Sequence, residues 1–198
     1  HDSVYDEVLE KLVEFAKNVP MGVGLDEQNV LGPLQNKGQF DVVDRLVEAA
    51  KASGARVVLG GNPDRDAPGY FYPTTIVADI DPHNALVVEE QFGPALPVIR
   101  YTDVEEAIRL ANELEFGLGA SVWSKDRAEA TRIAARLEEA AIELDDIGLQ
   151  RPSLDDVFLS LTGHRAETET DVLVIGTGLP ALNQARARVR RIAPGVPD

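Results

Sequence analysis

The sequence contains no cysteine in its 198 residues, and it contains few histidines. Without a thiolate there can be no disulfide bond, no cysteine-ligated metal and no cysteine nucleophile among these residues. His1, His83 and His164 lie far apart in the sequence and form no metal-ligand pattern. No Gly-X-Ser-X-Gly segment is present either, so no motif predicts an activated serine. The sequence therefore offers no catalytic nucleophile and predicts no metal site.

Long apolar runs and an excess of basic residues are also absent. No run approaches the roughly 20 apolar residues that span a bilayer, and the first residues lack the basic-then-apolar order of a secretory signal. There are 34 acidic and 19 basic residues, which gives a formal net charge of -15. Such a charge disfavours nonspecific binding to nucleic acid or to anionic membranes. We expect a cytoplasmic protein with no membrane span and no nucleic-acid partner.

Apolar residues make up 44% of the sequence, which is enough for a core, and they follow helical and strand periods in turn. Helical spacing runs from Tyr5 to Ala16 and from Phe40 to Ala50, and Ser3 with Asp6 forms a capping-box pattern before the first helix. Two later helices have predicted N-caps, Asp103 and Asp126. The alternation of helices with short strands predicts an α/β fold with an open, mostly parallel sheet and helices on both faces.

The segment from Leu86 to Val98 is the most informative part of the sequence. Two apolar runs flank Glu-Glu-Gln-Phe-Gly-Pro, an order that predicts buried strand, exposed corner and buried strand. From residue type alone, Glu89 and Glu90 are solvated loop carboxylates and Phe92 is a half-buried anchor.

Five short segments resemble the NAD(P)-dependent aldehyde dehydrogenases in their order and spacing. They are His1 to Val8, Gly32 to Leu34, Tyr70 to Thr74, Glu90 to Pro94 and Phe116 to Val122. The resemblance places about residues 1–138 in part of the catalytic domain of that family. It implies oxidation of an aldehyde to a carboxylic acid with NAD or NADP, and it allows a homo-oligomer.

The resemblance also assigns three residues to cofactor binding. Glu90 would accept hydrogen bonds from the nicotinamide ribose hydroxyls, and Phe92 would lie against the nicotinamide. Gln39 matches a position at the start of the second helix that often contacts the cofactor. The alternative for Gln39 is a solvated glutamine at the start of a helix.

Four essential parts of the resembled family would all lie before His1. They are the cysteine nucleophile, a glutamate general base, an asparagine that helps to hold the oxyanion, and a Rossmann-type cofactor domain. We therefore expect a truncated, noncatalytic piece of an aldehyde dehydrogenase, with no catalytic residue and with no binding of NAD or NADP by this chain alone that is detectable at micromolar protein.

Beyond about Glu138 the sequence departs from the family pattern. Residues 142–165 resemble the C-terminal end of drug-exporting ATP-binding cassette ATPase subunits. No phosphate-binding loop is present, so ATP hydrolysis does not follow. The predicted organisation is chimeric: a partial catalytic domain over 1–140, a transporter-ATPase-like segment over 141–165, and a short strand-turn-helix appendage over 166–198.

Two alternative functions depend on these later segments. The chain could be an interaction or scaffold protein whose transporter-like tail docks an unknown partner. It could also be a minimal nucleotide-binding module, because Gly176 to Ala181 has a Gly-X-Gly-X-X-Ala outline after a strand-like run.

One strand position of the predicted sheet has two candidate occupants. Ala141 to Leu144 is close in the chain to the strand predicted at Gly117 to Trp123, whereas Val172 to Ile175 is more apolar but arrives later. Sequential neighbours usually pair, so we favour Ala141 to Leu144. Ser153 to Leu161 is then a short helix, and Ala166 to Thr170 a mobile linker.

Overall fold

The computed structural model describes residues 1–116, 119–138 and the strand 172–177. In chain order the elements are α1 (Tyr5–Lys17), α2 (Lys37–Ala52), β1 (Arg56–Leu59), β2 (Thr75–Ala78), α3 (Ala85–Val88), β3 (Ala95–Val98), α4 (Val104–Asn112), β4 (Gly119–Ser124), α5 (Arg127–Glu138) and β5 (Val172–Thr177). Within the described residues, no helix is long and apolar enough to cross a membrane.

Helix α2 forms where its cap and its apolar spacing agree. The side chain of Asn36 accepts a hydrogen bond from the Gln39 amide at 2.9 Å and so satisfies one of the first free N–H groups of the helix. One face of the helix is buried, through Phe40, Val43, Leu46, Val47 and Ala50. This face fixes the orientation of α2, and with it the position of its polar residues.

Helix α1 does not use the predicted capping box. Its N-cap is Val4, with no side-chain cap, because the Ser3 hydroxyl bonds instead to the His1 ring at 2.7 Å. The Asp6 carboxylate accepts from Arg100 at 2.7 Å, and the Ser3 amide, which a capping box would pair with Asp6, donates to the His1 ring at 3.2 Å. The Asp103 and Asp126 caps of α4 and α5 are confirmed, since each side chain accepts from backbone amides of the first turn.

The central sheet has the order β1-β2-β3, with helices on both faces as predicted. All four residues of β2 are buried. Val77 packs in the cluster that contains the apolar face of α2, whereas Ile76 and Ala78 pack with Tyr5 and Leu9 of α1. The alternation of side chains along a strand thus places one helix over each face of β2.

The described strand pairings are mixed in direction. Strands β2 and β3 are parallel, with Thr75 opposite Ala95, whereas β1 pairs with β2 in the antiparallel direction. The α/β class and the two-sided helix layers are confirmed. The sequence analysis predicts a mostly parallel sheet. Of the three described pairings, β2–β3 is parallel and the other two are antiparallel.

Strand β4 pairs with β5 in an antiparallel, two-stranded sheet, with Gly119 opposite Thr177 and Ser124 opposite Val172. Of the two candidate segments, the described neighbour of this strand is Val172 to Ile175, the more apolar and more distant one. Loop closure costs little extra free energy as a loop lengthens, so distance in the chain does not prevent this pairing. Ala141 to Leu144, the predicted helix at Ser153 to Leu161 and the predicted linker at Ala166 to Thr170 lie outside the described residues.

Candidate cofactor site

The turn Glu89–Pro94 joins α3 to β3 at the edge of α2. Asn84 is the N-cap of α3: its side chain accepts from the Leu86 amide at 3.0 Å, and Leu86 is buried. The buried strand predicted for the run that starts at Leu86 is therefore wrong, because this cap starts a helical turn over Ala85–Val88. At the other end, the Pro94 carbonyl accepts from the Thr75 amide at 2.7 Å, and Thr75 is fully buried at the start of β2. Both ends of the turn are therefore held by ordered elements.

The side chain of Gln91 spans this turn. Its Oε1 accepts from the Gly93 amide at 2.9 Å, and its Nε2 donates to the Ala95 carbonyl at 2.7 Å. The backbone carbonyl of Gln91 in turn accepts from the Gln39 side chain on α2. Gln91 thus forms hydrogen bonds to Gly93 within the turn, to the first residue of β3 and to α2.

A positive φ and one close packing contact shape the turn around Phe92. Phe92 has a positive φ of 47°, which a residue with a Cβ rarely adopts, and its side chain is 44% exposed. At Gly93 an added Cβ would lie 2.5 Å from a methyl of Val43, so only glycine lets the turn pack this closely on α2. The result is an aromatic ring presented at the surface beside a rigid helix.

The two adjacent carboxylates of the turn have different surroundings. Glu89 is half exposed and accepts from Arg45 of α2 at 3.0 Å. In Glu90, by contrast, Oε1 is buried and has no hydrogen-bond partner among the residues that the structure describes. A buried acceptor is almost always paired in a folded protein, by the protein itself, by water or by a ligand, so this oxygen can accept a donor from outside the described residues.

The structure brings together the three residues that the sequence analysis assigned to the cofactor. Gln39 contacts the turn through the Gln91 carbonyl, and Glu90 and Phe92 flank Gln91. The Nε2 of Gln39 is bonded within the protein, so Gln39 is not the solvated glutamine of the alternative interpretation. The sequence analysis did not single out Gln91 or Arg45, because both act through partners that the sequence does not reveal.

The chemistry of the turn fits the nicotinamide end of a dinucleotide. A buried carboxylate oxygen can accept from ribose hydroxyls, and an exposed ring can lie against a planar heterocycle. Tyr72 supports α2 behind the site, with its ring edge-on to Phe40 at 5.6 Å between centroids. No group of side chains that could hold a metal ion occurs in the described parts of the chain.

The family model described as "Aldehyde dehydrogenase family" matches residues 1–154. The chain belongs to the aldehyde dehydrogenase family. This confirms the resemblance proposed from the five segments. The match runs past residue 140, while the predicted boundary there and the transporter-like character of 142–165 remain predictions.

Several curated relatives are similar to this aldehyde dehydrogenase chain. A succinate-semialdehyde dehydrogenase [NADP(+)] of Mycobacterium avium is 34% identical over 94% of this chain and 38% of its own length. The mitochondrial aldehyde dehydrogenase 2 of Saccharomyces cerevisiae is 37% identical over 72% of this chain and 27% of its own length. The chain thus spans less than two fifths of the length of these curated relatives.

Solved structures show the same partial coverage. A betaine aldehyde dehydrogenase of Staphylococcus aureus in complex with NAD+ aligns with a TM-score of 0.65 at 34% identity, over 69% of this chain and 28% of that one. A mutant aldehyde dehydrogenase of Bacillus cereus aligns with a TM-score of 0.66 at 32% identity, over 77% of this chain and 31% of that one.

Proposed function

We propose that this chain is part of an NAD(P)-dependent aldehyde dehydrogenase, which oxidises an aldehyde to a carboxylic acid, and that the turn Glu89–Pro94 holds the nicotinamide end of the cofactor. Glu90 accepts hydrogen bonds from the ribose hydroxyls, and Phe92 lies against the nicotinamide ring. The observation that carries the proposal is the buried, unpartnered Oε1 of Glu90. A hydroxyl donor at that oxygen would satisfy it.

The division of roles between the carboxylates supports this assignment. Because Arg45 already pairs with Glu89, a ribose would have to compete with that ion pair there. At Glu90 no such competition exists among the described residues. The residues of this turn would hold and orient the nicotinamide end of the cofactor, which would supply the hydride acceptor for the oxidation.

Gln39 acts in this proposal by holding the turn. Its side-chain amide donates a hydrogen bond to the Gln91 carbonyl, and its backbone amide donates one to the side chain of Asn36 at the start of α2. Gln39 therefore contributes to the cofactor site chiefly by fixing the backbone between Glu90 and Phe92.

The names of the relatives support the use of NAD or NADP and an aldehyde substrate. One relative is named for NADP+ and succinate semialdehyde, and one solved structure contains NAD+. These names share the oxidation of an aldehyde with NAD or NADP, and we propose the function at that level. We also propose that the enzyme is cytoplasmic and homo-oligomeric. The 198 residues hold no cysteine, so we also propose that they do not perform the oxidation by themselves.

The scaffold and nucleotide-module alternatives have no supporting contact in the described residues. The scaffold depends on residues 142–165, which lie outside the described residues. The nucleotide module depends on Gly176 to Ala181, of which only Gly176 and Thr177, at the end of β5, are described.

Titration with nicotinamide mononucleotide, followed by NMR, tests the proposed role of Glu90. We expect weak binding, in the millimolar range, because most of the cofactor would have no contact with this turn. Glu90→Gln should weaken it about 10-fold, the ratio that corresponds to about 1.4 kcal/mol. Shifts should be confined to the turn and to the start of α2.

Two controls make the result specific. Glu89→Gln removes the neighbouring charge, which is exposed and paired with Arg45, and should leave the affinity within about twofold. AMP carries a ribose and a phosphate without the nicotinamide and should shift these resonances far less. Equal loss of affinity in the two glutamate variants, or equal binding of AMP, would refute the assignment.

A further inference from the structure

We infer that Gln91 is a positioning residue of the nicotinamide-facing turn, which holds Phe92 in its positive-φ conformation and thereby aims both Phe92 and Glu90. This inference rests on the proposed function for the identity of the ligand. We call the hydrogen bonds of the Gln91 side chain to Gly93 and Ala95 the clamp. The evidence for the clamp is independent of the ligand, because it consists of the hydrogen bonds and backbone angles of the turn.

The bonds of Gln91 close two rings across the turn. The Gly93 amide donates to Oε1 at 2.9 Å, and this bond passes across Phe92. The donation from Nε2 to the Ala95 carbonyl, at 2.7 Å, anchors the same side chain to the first residue of β3. The acceptor and the donor of one amide thus connect Gln91 to two residues that follow the strained Phe92. No aliphatic side chain can make both bonds.

The clamp matters because the conformation that it encloses is costly. A non-glycine residue in the left-handed region costs on the order of one to a few kcal/mol and persists only when its surroundings enforce it. Phe92 has φ 47° and an exposed ring, so burial of its own side chain does not enforce this conformation. The enforcing contacts come from its two neighbours, Gln91 by hydrogen bonds and Gly93 by packing against Val43.

The carbonyl of Gln91 extends the clamp to the helix. It accepts from Gln39, whose backbone amide donates to the Asn36 cap at 2.9 Å. A rigid, capped helix start is therefore connected through one side chain to the backbone between Glu90 and Phe92. Two of the three residues predicted to contact the cofactor are aimed by Gln91 without any contact between Gln91 and the cofactor.

Gln91→Met tests the clamp, because methionine has a similar length and can make neither bond. We expect the backbone of Glu90 to Gly93 to become mobile on the nanosecond timescale, seen as lower NMR order parameters, and the coupling constants that report φ at Phe92 to change. Affinity for nicotinamide mononucleotide should fall roughly 3- to 10-fold, since the ordering of the turn must then occur on binding. The thermal midpoint should shift little, because the turn is at the surface.

Gln28→Met is the matched control, since Gln28 is an exposed glutamine in the loop before α2. It should change neither the order parameters of the turn nor the affinity. A Gln91→Met chain with wild-type coupling constants and order parameters at Phe92 would overturn the clamp. An ordered turn that loses affinity would also overturn it, because Gln91 would then contact the ligand directly.

The two proposals fail separately in this experiment. If the wild-type chain does not bind nicotinamide mononucleotide at all, the proposed function fails, and the clamp is still judged by the order parameters and couplings of the free chain. If the wild-type chain binds and the variant binds equally well with a mobile turn, the positioning role fails while the proposed function stands.

Discussion

Glu89 and Glu90 are chemically identical neighbours, and no property of the residues themselves distinguishes them. What separates them is Arg45, 44 positions earlier than Glu89, which is brought to the turn by α2 and pairs with Glu89. Glu90 is left with a buried oxygen that has no partner in the described residues. The family motif predicted Glu90 as the ribose acceptor, and the structure adds a physical reason why Glu90 and not Glu89 suits that role.

At the residue scale, Tyr72 predicts a loss of stability in alkaline solution. Burial raises the pKa of the Tyr72 hydroxyl, and the negative charges of Asp44 and Glu48 raise it further. Above the pKa of about 10 for an unfolded tyrosine, the unfolded chain has released a proton that the folded chain retains, so the free energy of unfolding falls as the pH rises. Tyr72→Phe should make this alkaline decline shallower in denaturant titrations.

The same substitution should be well tolerated near pH 7. The buried Tyr72 hydroxyl interacts with Asp44 but makes no hydrogen bond of good geometry in the described residues, so its removal should change the stability by less than about 1 kcal/mol. Tyr70→Phe, at a position that is 42% exposed, is the control for the alkaline effect. An alkaline decline as steep in Tyr72→Phe as in the wild type would contradict this account.

At the scale of elements, α2, α4 and α5 were predictable because their signals are local, whereas the short helix α3 was wrongly predicted as a buried strand. The apolar spacing of α2 and the aspartate caps of α4 and α5 are contained within a few residues of each helix. Strand partners were not predictable in the same way, since a strand carries no signal that names its neighbour. The rule that sequential strands pair favoured Ala141 to Leu144, whereas the described partner of β4 is β5.

The β4–β5 pairing predicts a local effect of removing the tail. Deleting residues 166–198 should expose the amides of Gly119–Ser124 and speed their hydrogen exchange, because their antiparallel partner is lost. The amides of the β1-β2-β3 sheet should remain protected, since its apolar clusters are separate from the one that contains Ile108 and Ile133.

A shorter deletion serves as the control for this measurement. Removing only residues 178–198 retains β5 and should leave the exchange of Gly119–Ser124 unchanged. Unchanged exchange after the longer deletion would show that β5 is not required for β4, and would favour Ala141 to Leu144 as its partner.

At the scale of the whole molecule, the family could be identified from the sequence because five short segments occur together in order. The match to residues 1–154 confirms it. The clamp of Gln91 could not be predicted from the sequence, because hydrogen bonds across a turn depend on a backbone conformation that residue types alone do not specify. The contact between Gln39 and Gln91, 52 positions apart, depends in addition on how α2 packs on the sheet.

The composition of the whole chain predicts its activity in isolation. With no cysteine in 198 residues, a covalent intermediate of the kind that the family resemblance implies cannot form on this chain. Purified chain incubated with NAD+ or NADP+ and a panel of aldehydes should produce no reduced cofactor above a protein-free control. An active aldehyde dehydrogenase under the same conditions shows that the assay works, and sustained turnover by the chain would contradict the proposal.

The most direct test of the cofactor site is a distance between Phe92 and the nicotinamide ring. With the chain near saturation in nicotinamide mononucleotide, nuclear Overhauser effects should connect the ring protons of Phe92 with those of the nicotinamide, and Glu90→Gln should weaken them in proportion to the loss of bound ligand. Saturable binding that shows no such effect at Phe92, with its contacts elsewhere on the chain, would contradict the account.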